Sequence, residues 1–182
     1  GLTKGLGVAR MSSLLKEFTG SLEAMELTLV PPDEPCDAKI VAEEELHKND
    51  VFIPMWRENY GVAMPHKHIL SLKKRLTIDD LKEQPFIQRT PCIAWQPLLD
   101  KLEQENVSID IRAKIQTIDY ALGLVSAGVG LAYLPLYPET QSNNDVVFKK
   151  LHNVDISRNI GLAYAQETDI TNILHKIIKR YQ

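Results

Sequence analysis

The stretch from Ile115 to Pro135 constrains this chain more than any other part of it. It reads as a strand end, a short apolar helix, a turn at Gly128-Val129-Gly130 and a second strand. Ile118, Leu122 and Val125 recur at helical spacing. Gly128 stands where that helix must stop, and glycine tolerates the left-handed backbone such a stop requires. Leu131 to Leu134 forms a short apolar strand closed by Pro135. A step this short from strand to helix sets the free N–H groups of a helix N-terminus, around Thr117 and Asp119, beside a strand end. That arrangement suits the binding of a small ligand and needs no catalytic side chain.

The rest of the chain alternates in the same way. Met11, Leu14, Leu15 and Phe18 mark a first helix over residues 6–19, ended by Gly20 and Ser21. Met25, Leu27 and Leu29 alternate with polar residues as a strand does, and Pro31-Pro32-Asp33-Glu34-Pro35 breaks it. Further strands are expected at Ala38 to Ala42, Val51 to Met55, Tyr60 to Met64 and Phe86 to Gln88. Thr77 and Asp80 have the spacing of a capping box. Trp95, Leu98, Leu99 and Leu102 give another helix stripe, and Val107 to Ile115 alternates as a half-buried strand. Weak strands near Val146 to Phe148 and Ile160 to Ala165 precede a terminal helix carrying Ile170, Ile173, Leu174, Ile177 and Ile178. The class is α/β, with mainly parallel pairing expected.

Composition removes several functions. A chain of 182 residues with 44% hydrophobic content can bury a sizeable core. A net charge of -3 and a pI near 6.0 leave no dense basic face to grip nucleic acid. The run Lys73-Lys74-Arg75 reads as a solvated turn, and Glu43-Glu44-Glu45 as a solvated face. Cys36 and Cys92 fit no metal spacing and read as reduced thiols. His66 and His68 lie two apart with no third ligand, so no metal is assigned. No apolar stretch is long enough to span a bilayer, and no secretory signal is visible. The start lacks Met and falls at what reads as a strand end, so the chain is expected to be a fragment. No nucleophile elbow, phosphate loop or dinucleotide fingerprint occurs. Gly128-Val129-Gly130 follows a helix and precedes a strand, the wrong order for a dinucleotide. No cofactor and no enzymatic activity are expected.

Two segments carry a family resemblance. One is Gly1-Leu2-Thr3-Lys4-Gly5, leading into Leu14-Leu15-Lys16-Glu17-Phe18 and Met25-Glu26-Leu27-Thr28-Leu29. The other, more specific, runs from Tyr120-Ala121-Leu122-Gly123-Leu124-Val125 through Gly128-Val129-Gly130 to Leu134-Pro135. Trp56 to Pro65 with His68 lies between them. Together they resemble the effector-binding (regulatory) domain of LysR-type transcriptional regulators. The resemblance implies a two-lobed, periplasmic-binding-protein-like (type 2) α/β fold with two crossovers and a small molecule in the cleft. By that likeness lobe one is residues 1–56 plus 137–182, and lobe two is 57–136. The family's N-terminal winged helix-turn-helix domain is absent here, so DNA is a partner only through that missing domain. One departure is clear: where the family has a helix and a loop, only Val30 to Cys36 stands before Asp37.

The resemblance also implies which residues face the cleft. Thr3, Lys4 and Gly5 precede the first helix, Arg89, Thr90 and Pro91 follow a strand, and Gln116, Thr117 and Ile118 open the glycine-turn helix. Free N–H groups and hydroxyls there suit a carboxylate or phosphate, with Lys4 and Arg89 adding charge. A plainer reading stands beside this one: Thr90 and Thr117 cap helices and Arg89 makes a surface ion pair. Cys92, beside the Arg89 loop, is a candidate redox sensor only if a nearby cation lowers its pKa, and idle thiol is the plainer reading. The expected function is effector sensing, for a small, anionic metabolite, by a cytoplasmic homodimer or higher homo-oligomer with no membrane partner. Binding would shift the population between lobe orientations. The alternative is a solute-binding protein of a transport system with the same architecture, which fold alone does not separate.

Overall fold

A computed structural model describes residues 1–21, 26–142 and 144–180. The chain forms two compact units, Gly1–Arg57 with Arg158–Gln182, and Glu58–Ser157. Residues 137–157, expected with the first lobe, cluster with the second unit. The reason is a strand pairing: Val146 to Lys149 aligns with Pro65 to Val62 and ties that segment down.

The first unit contains α1 (Val8–Gly20), β1 (Lys39–Ala42), most of β7 (Ser157–Tyr164) and α5 (Asp169–Ile178). Met11, Leu14 and Phe18 of α1 are buried, the stripe expected from spacing, and Ser21 donates its N–H to Phe18 O as the helix ends. β1 and β7 pair antiparallel, Lys39 opposite Ala163 and Ala42 opposite Ile160. The expected strand at 25–29 differs. Met25 lies outside the described residues, and residues 26–30 form no strand. Leu27 and Leu29 are exposed, and the Leu2 N–H donates to Val30 O.

A buried ion pair fixes the loop after β1. Lys39 Nζ lies 2.6 Å from Asp50 Oδ2, with their side chains 7% and 5% exposed. The His47 N–H donates to the same carboxylate at 2.9 Å. Burial pushes the Asp50 carboxyl up, but the Lys39 and His47 hydrogen bonds and charges outweigh it. The group is held below its ordinary 3.8.

The second unit is a mixed sheet covered on both faces. The two strands expected at Val51 to Met55 and Tyr60 to Met64 are one strand, β2 (Val51–Pro65), which runs through both units. The other strands are β3 (Pro85–Arg89), β4 (Asp110–Ile115), β5 (Leu131–Pro135) and β6 (Val146–Lys149). β2 pairs antiparallel with β5 and β6, while β3 pairs parallel with β4 and β5. Pairing is therefore mixed rather than mainly parallel. The helices are α2 (Trp95–Gln104), α3 (Ile118–Ser126) and the short α4 (Pro138–Gln141), which the periodicity did not indicate.

Strand alternation sorts two cores. Val62, Met64, Phe86, Leu131 and Tyr133 join Leu98 and Leu102 of α2 on one face. Ala63, Ile87, Ala132 and Leu134 join Ile118, Ala121 and Val125 of α3 on the other. All five residues of β5 are buried, as a strand covered on both sides requires. In α3 it is Ala121, not Leu122, that is fully buried, with Leu122 packed partly against the same cluster. Among the described residues no helix is long and apolar enough to cross a membrane.

Two substitutions test these contacts. A Cβ at Gly130 would meet Pro85 O at 2.8 Å. Gly130→Ala is expected to cost about 1–3 kcal/mol in urea unfolding, the usual range for overpacking. Lys39→Met leaves the buried Asp50 carboxylate with the His47 N–H but without its counter-charge, and is expected to cost about 3–5 kcal/mol at neutral pH. Because the folded Asp50 value is depressed, its contribution is complete above the ordinary 3.8 and is lost as pH falls through the lower folded value. The gap between wild type and Lys39→Met in pH-dependent unfolding should close in that acid range.

Candidate functional site

The second unit builds its candidate site where parallel strands end. Arg89 is the last residue of β3 and sits opposite Ile115, the last residue of β4. The Thr90 N–H donates to Ile115 O at 2.8 Å, carrying the alignment one residue further. Ligands of open parallel sheets bind beyond such carboxyl ends.

Alternation fixes where Arg89 points. Ile87 packs against Ile118, Ala121 and Val125, and Arg89, two residues on, shares that face. Ile115, opposite Arg89 on β4, and Ala113, opposite Ile87, pack partly against the same cluster. The Arg89 side chain therefore leaves β3 on the α3 side.

Burial makes this arginine unusual. Arg89 is only 2% exposed, yet its Nε and Nη1 are buried without a hydrogen-bond partner. The plainer expectation of a surface ion pair is thus not met. A desolvated cation normally carries a carboxylate or several acceptors, because burying it alone is costly.

α3 completes the arrangement. Its N-cap is Thr117, whose Oγ1 accepts the Tyr120 N–H at 3.3 Å. Thr117 is therefore the capping residue of the plainer reading, and the Ile118 and Asp119 N–H groups stay in the unpaired first turn. Gln116 and Thr117 are exposed and Ile118 is buried. The helix closes with Gly128 at φ 78°, the Val129 N–H reaching Leu124 O and the Gly128 N–H reaching Val125 O. Thr90 caps no helix: it is exposed and precedes the cis Thr90–Pro91 bond, while α2 begins later behind Ala94.

The third expected group lies in the first unit. Thr3 is 6% exposed and donates its hydroxyl to Glu45 Oε1 at 2.7 Å. Gly5, at φ 79°, accepts from Arg158 Nη2 at 2.5 Å, and Lys4 is exposed. The Thr3 hydroxyl and the Gly5 carbonyl are thus both engaged in holding the turn. Cys36 is exposed and Cys92 partly buried, both as free thiols. His68 Nδ1 accepts the Leu70 N–H at 3.2 Å, and burial lowers the His68 pKa below 6.5, which keeps the accepting neutral form.

Sequence reasoning reached Arg89 but not its burial. The signal was available: position 87 belongs to a strand covered on the helix side, and position 89 follows it on that face.

Comparison with known proteins agrees with this architecture. A family profile described as "LysR substrate binding domain" matches residues 32–180. The HTH-type transcriptional regulator AlsR of Bacillus subtilis (strain 168) is 28% identical over 120 residues, covering 64% of this chain and 39% of that protein. The chain thus spans about two-fifths of that relative's length. Among solved structures, the Synechocystis PCC6803 CcmR regulatory domain in complex with 2-PG is similar at TM-score 0.83 and 16% identity, covering 100% of this chain and 95% of that one. The effector binding domain of QuiR in complex with shikimate is similar at TM-score 0.77 and 19% identity, covering 100% and 94%.

A stability measurement checks the burial of Arg89. Replacing an unsatisfied buried cation by an apolar chain of similar length removes its desolvation cost. Arg89→Met is expected to raise the unfolding free energy of the ligand-free protein by about 1–3 kcal/mol. A loss of stability would mean that the guanidinium is satisfied in the fold.

Proposed function

This chain belongs to the LysR substrate binding domain family, and from that membership we propose that its effector is a small anion anchored by Arg89. The domain senses an effector for a transcriptional regulator, and its family is a regulatory one rather than an enzyme class. Regulators of this family bind small-molecule effectors and reach DNA through an N-terminal domain. The transport alternative is not favoured, because the curated relative is a regulator and the family profile belongs to regulators.

The buried, unpartnered guanidinium of Arg89 carries the reading. A protein that keeps such a group without a counter-charge gives up stability for function, and an incoming anion returns it. Thr90 and Pro91 shape the turn beside it, and Gln116, Thr117 and Ile118 bring the first turn of α3. Thr3, Lys4 and Gly5 of the first unit are proposed as a separate effector-contacting turn, with Lys4 exposed. Ligand binding would favour one conformation of the domain over another in proportion to its differential affinity. A homodimer or higher homo-oligomer and a cytoplasmic location belong to the same proposal.

Native mass spectrometry of the purified chain would report subunit count and any retained acidic small molecule. With that molecule, Arg89→Ala is expected to weaken calorimetric affinity by about tenfold or more, the size of one charged hydrogen-bond pair. Unchanged affinity would remove Arg89 from the site.

A further inference from the structure

We propose that the Arg89 site selects a monoanion, a single carboxylate, over dianions, and that Asp119 enforces the choice. This rests on the anion-binding reading above and adds the charge class of the ligand.

The charges on this face are few. Arg89 brings one buried positive charge with two unpartnered guanidinium nitrogens. The α3 N-terminus contributes roughly half a positive charge through its unpaired N–H groups. Asp119 stands in that first turn, exposed, and already sets a full negative charge against it. Thr90, Gln116 and Thr117 are neutral. Lys114 is exposed and, by alternation with Ala113 and Ile115, turns to the other face of β4. Arg112 is paired with Asp110 at 2.5 Å. Arg89 and the helix terminus less Asp119 leave about half a positive charge for a ligand on this face.

Chemistry follows from that count. One carboxylate neutralises Arg89 and presents two oxygens in a plane, the shape that a guanidinium binds through paired hydrogen bonds. A second negative charge on the ligand would meet the like charge of Asp119 with no second buried cation to offset it, and like charges disfavour each other.

The test uses matched probes at constant ionic strength. Acetate, benzoate and methanesulfonate serve as monoanions, and malonate and sulfate as dianions, read by thermal shift and calorimetry on the whole chain. At least one monocarboxylate should bind about tenfold or more tighter than malonate or sulfate, the order set by one uncompensated charge. Arg89→Gln should abolish binding of both classes. Asp119→Asn should strengthen dianion binding about two- to fivefold, the scale of one charge at a helix terminus, and narrow the gap. Circular dichroism of Asp119→Asn would establish that the variant is folded. Dianions binding as tightly as carboxylates, with both dependent on Arg89, would overturn the charge preference and leave the anion site standing. An unmoved ratio in folded Asp119→Asn would remove Asp119 from the device. Binding of no probe, with no effect of Arg89→Gln, would overturn both the preference and the site.

Discussion

Arg89 is the constraint on which the rest of the second unit turns. A guanidinium 2% exposed, with two nitrogens lacking partners, must be held in place by its surroundings. Ile87, Ile118, Ala121 and Val125 close over the strand on one side, and β5 is buried along its length. Packing of this density does not relax to let a charged side chain swing out to water. The parallel register of β3 with β4 then fixes the end from which the charge is reached, because Arg89 and Ile115 finish their strands side by side.

The same geometry explains how a rigid sheet can serve a sensor. The cost of the bare cation is borne by the cores on both faces. An anion that satisfies the cation stabilises whichever conformation holds the two together. Coupling requires only that the anion prefer one conformation to another. The Thr117 cap fixes the first turn of α3.

Much of this was legible in the sequence, and the parts that were not have physical reasons. The run Ile115 to Pro135 gave the strand, helix and glycine turn because three local signals agree there: helical spacing, a left-handed glycine and an unbroken apolar strand. Gly128 at φ 78° is the backbone those signals require. Residues 26–30 misled because alternation alone cannot supply a ladder partner, and Leu27 and Leu29 are left exposed. The extent of the second unit was also hidden, since the weakly apolar Val146 to Lys149 reads as a strand without saying which strand it joins. Parallel and antiparallel neighbours look alike in a short apolar run. At the site, residue type singled out Arg89, but its lack of a partner is a fact of three dimensions. Thr117 and Thr90 could not be separated by type either: one caps α3, and the other caps nothing.

The most direct test reads the guanidinium itself. The Nε–H proton of Arg89 can be assigned in a nitrogen-15 spectrum by its loss in Arg89→Lys, then followed while benzoate is titrated into the wild-type chain. A downfield shift that saturates with the calorimetric binding curve, together with slower exchange with water, is the expected result, because the orphan N–H gains an acceptor. A resonance that stays unmoved while benzoate binds elsewhere, or that is already downfield and protected without any anion, would contradict the account.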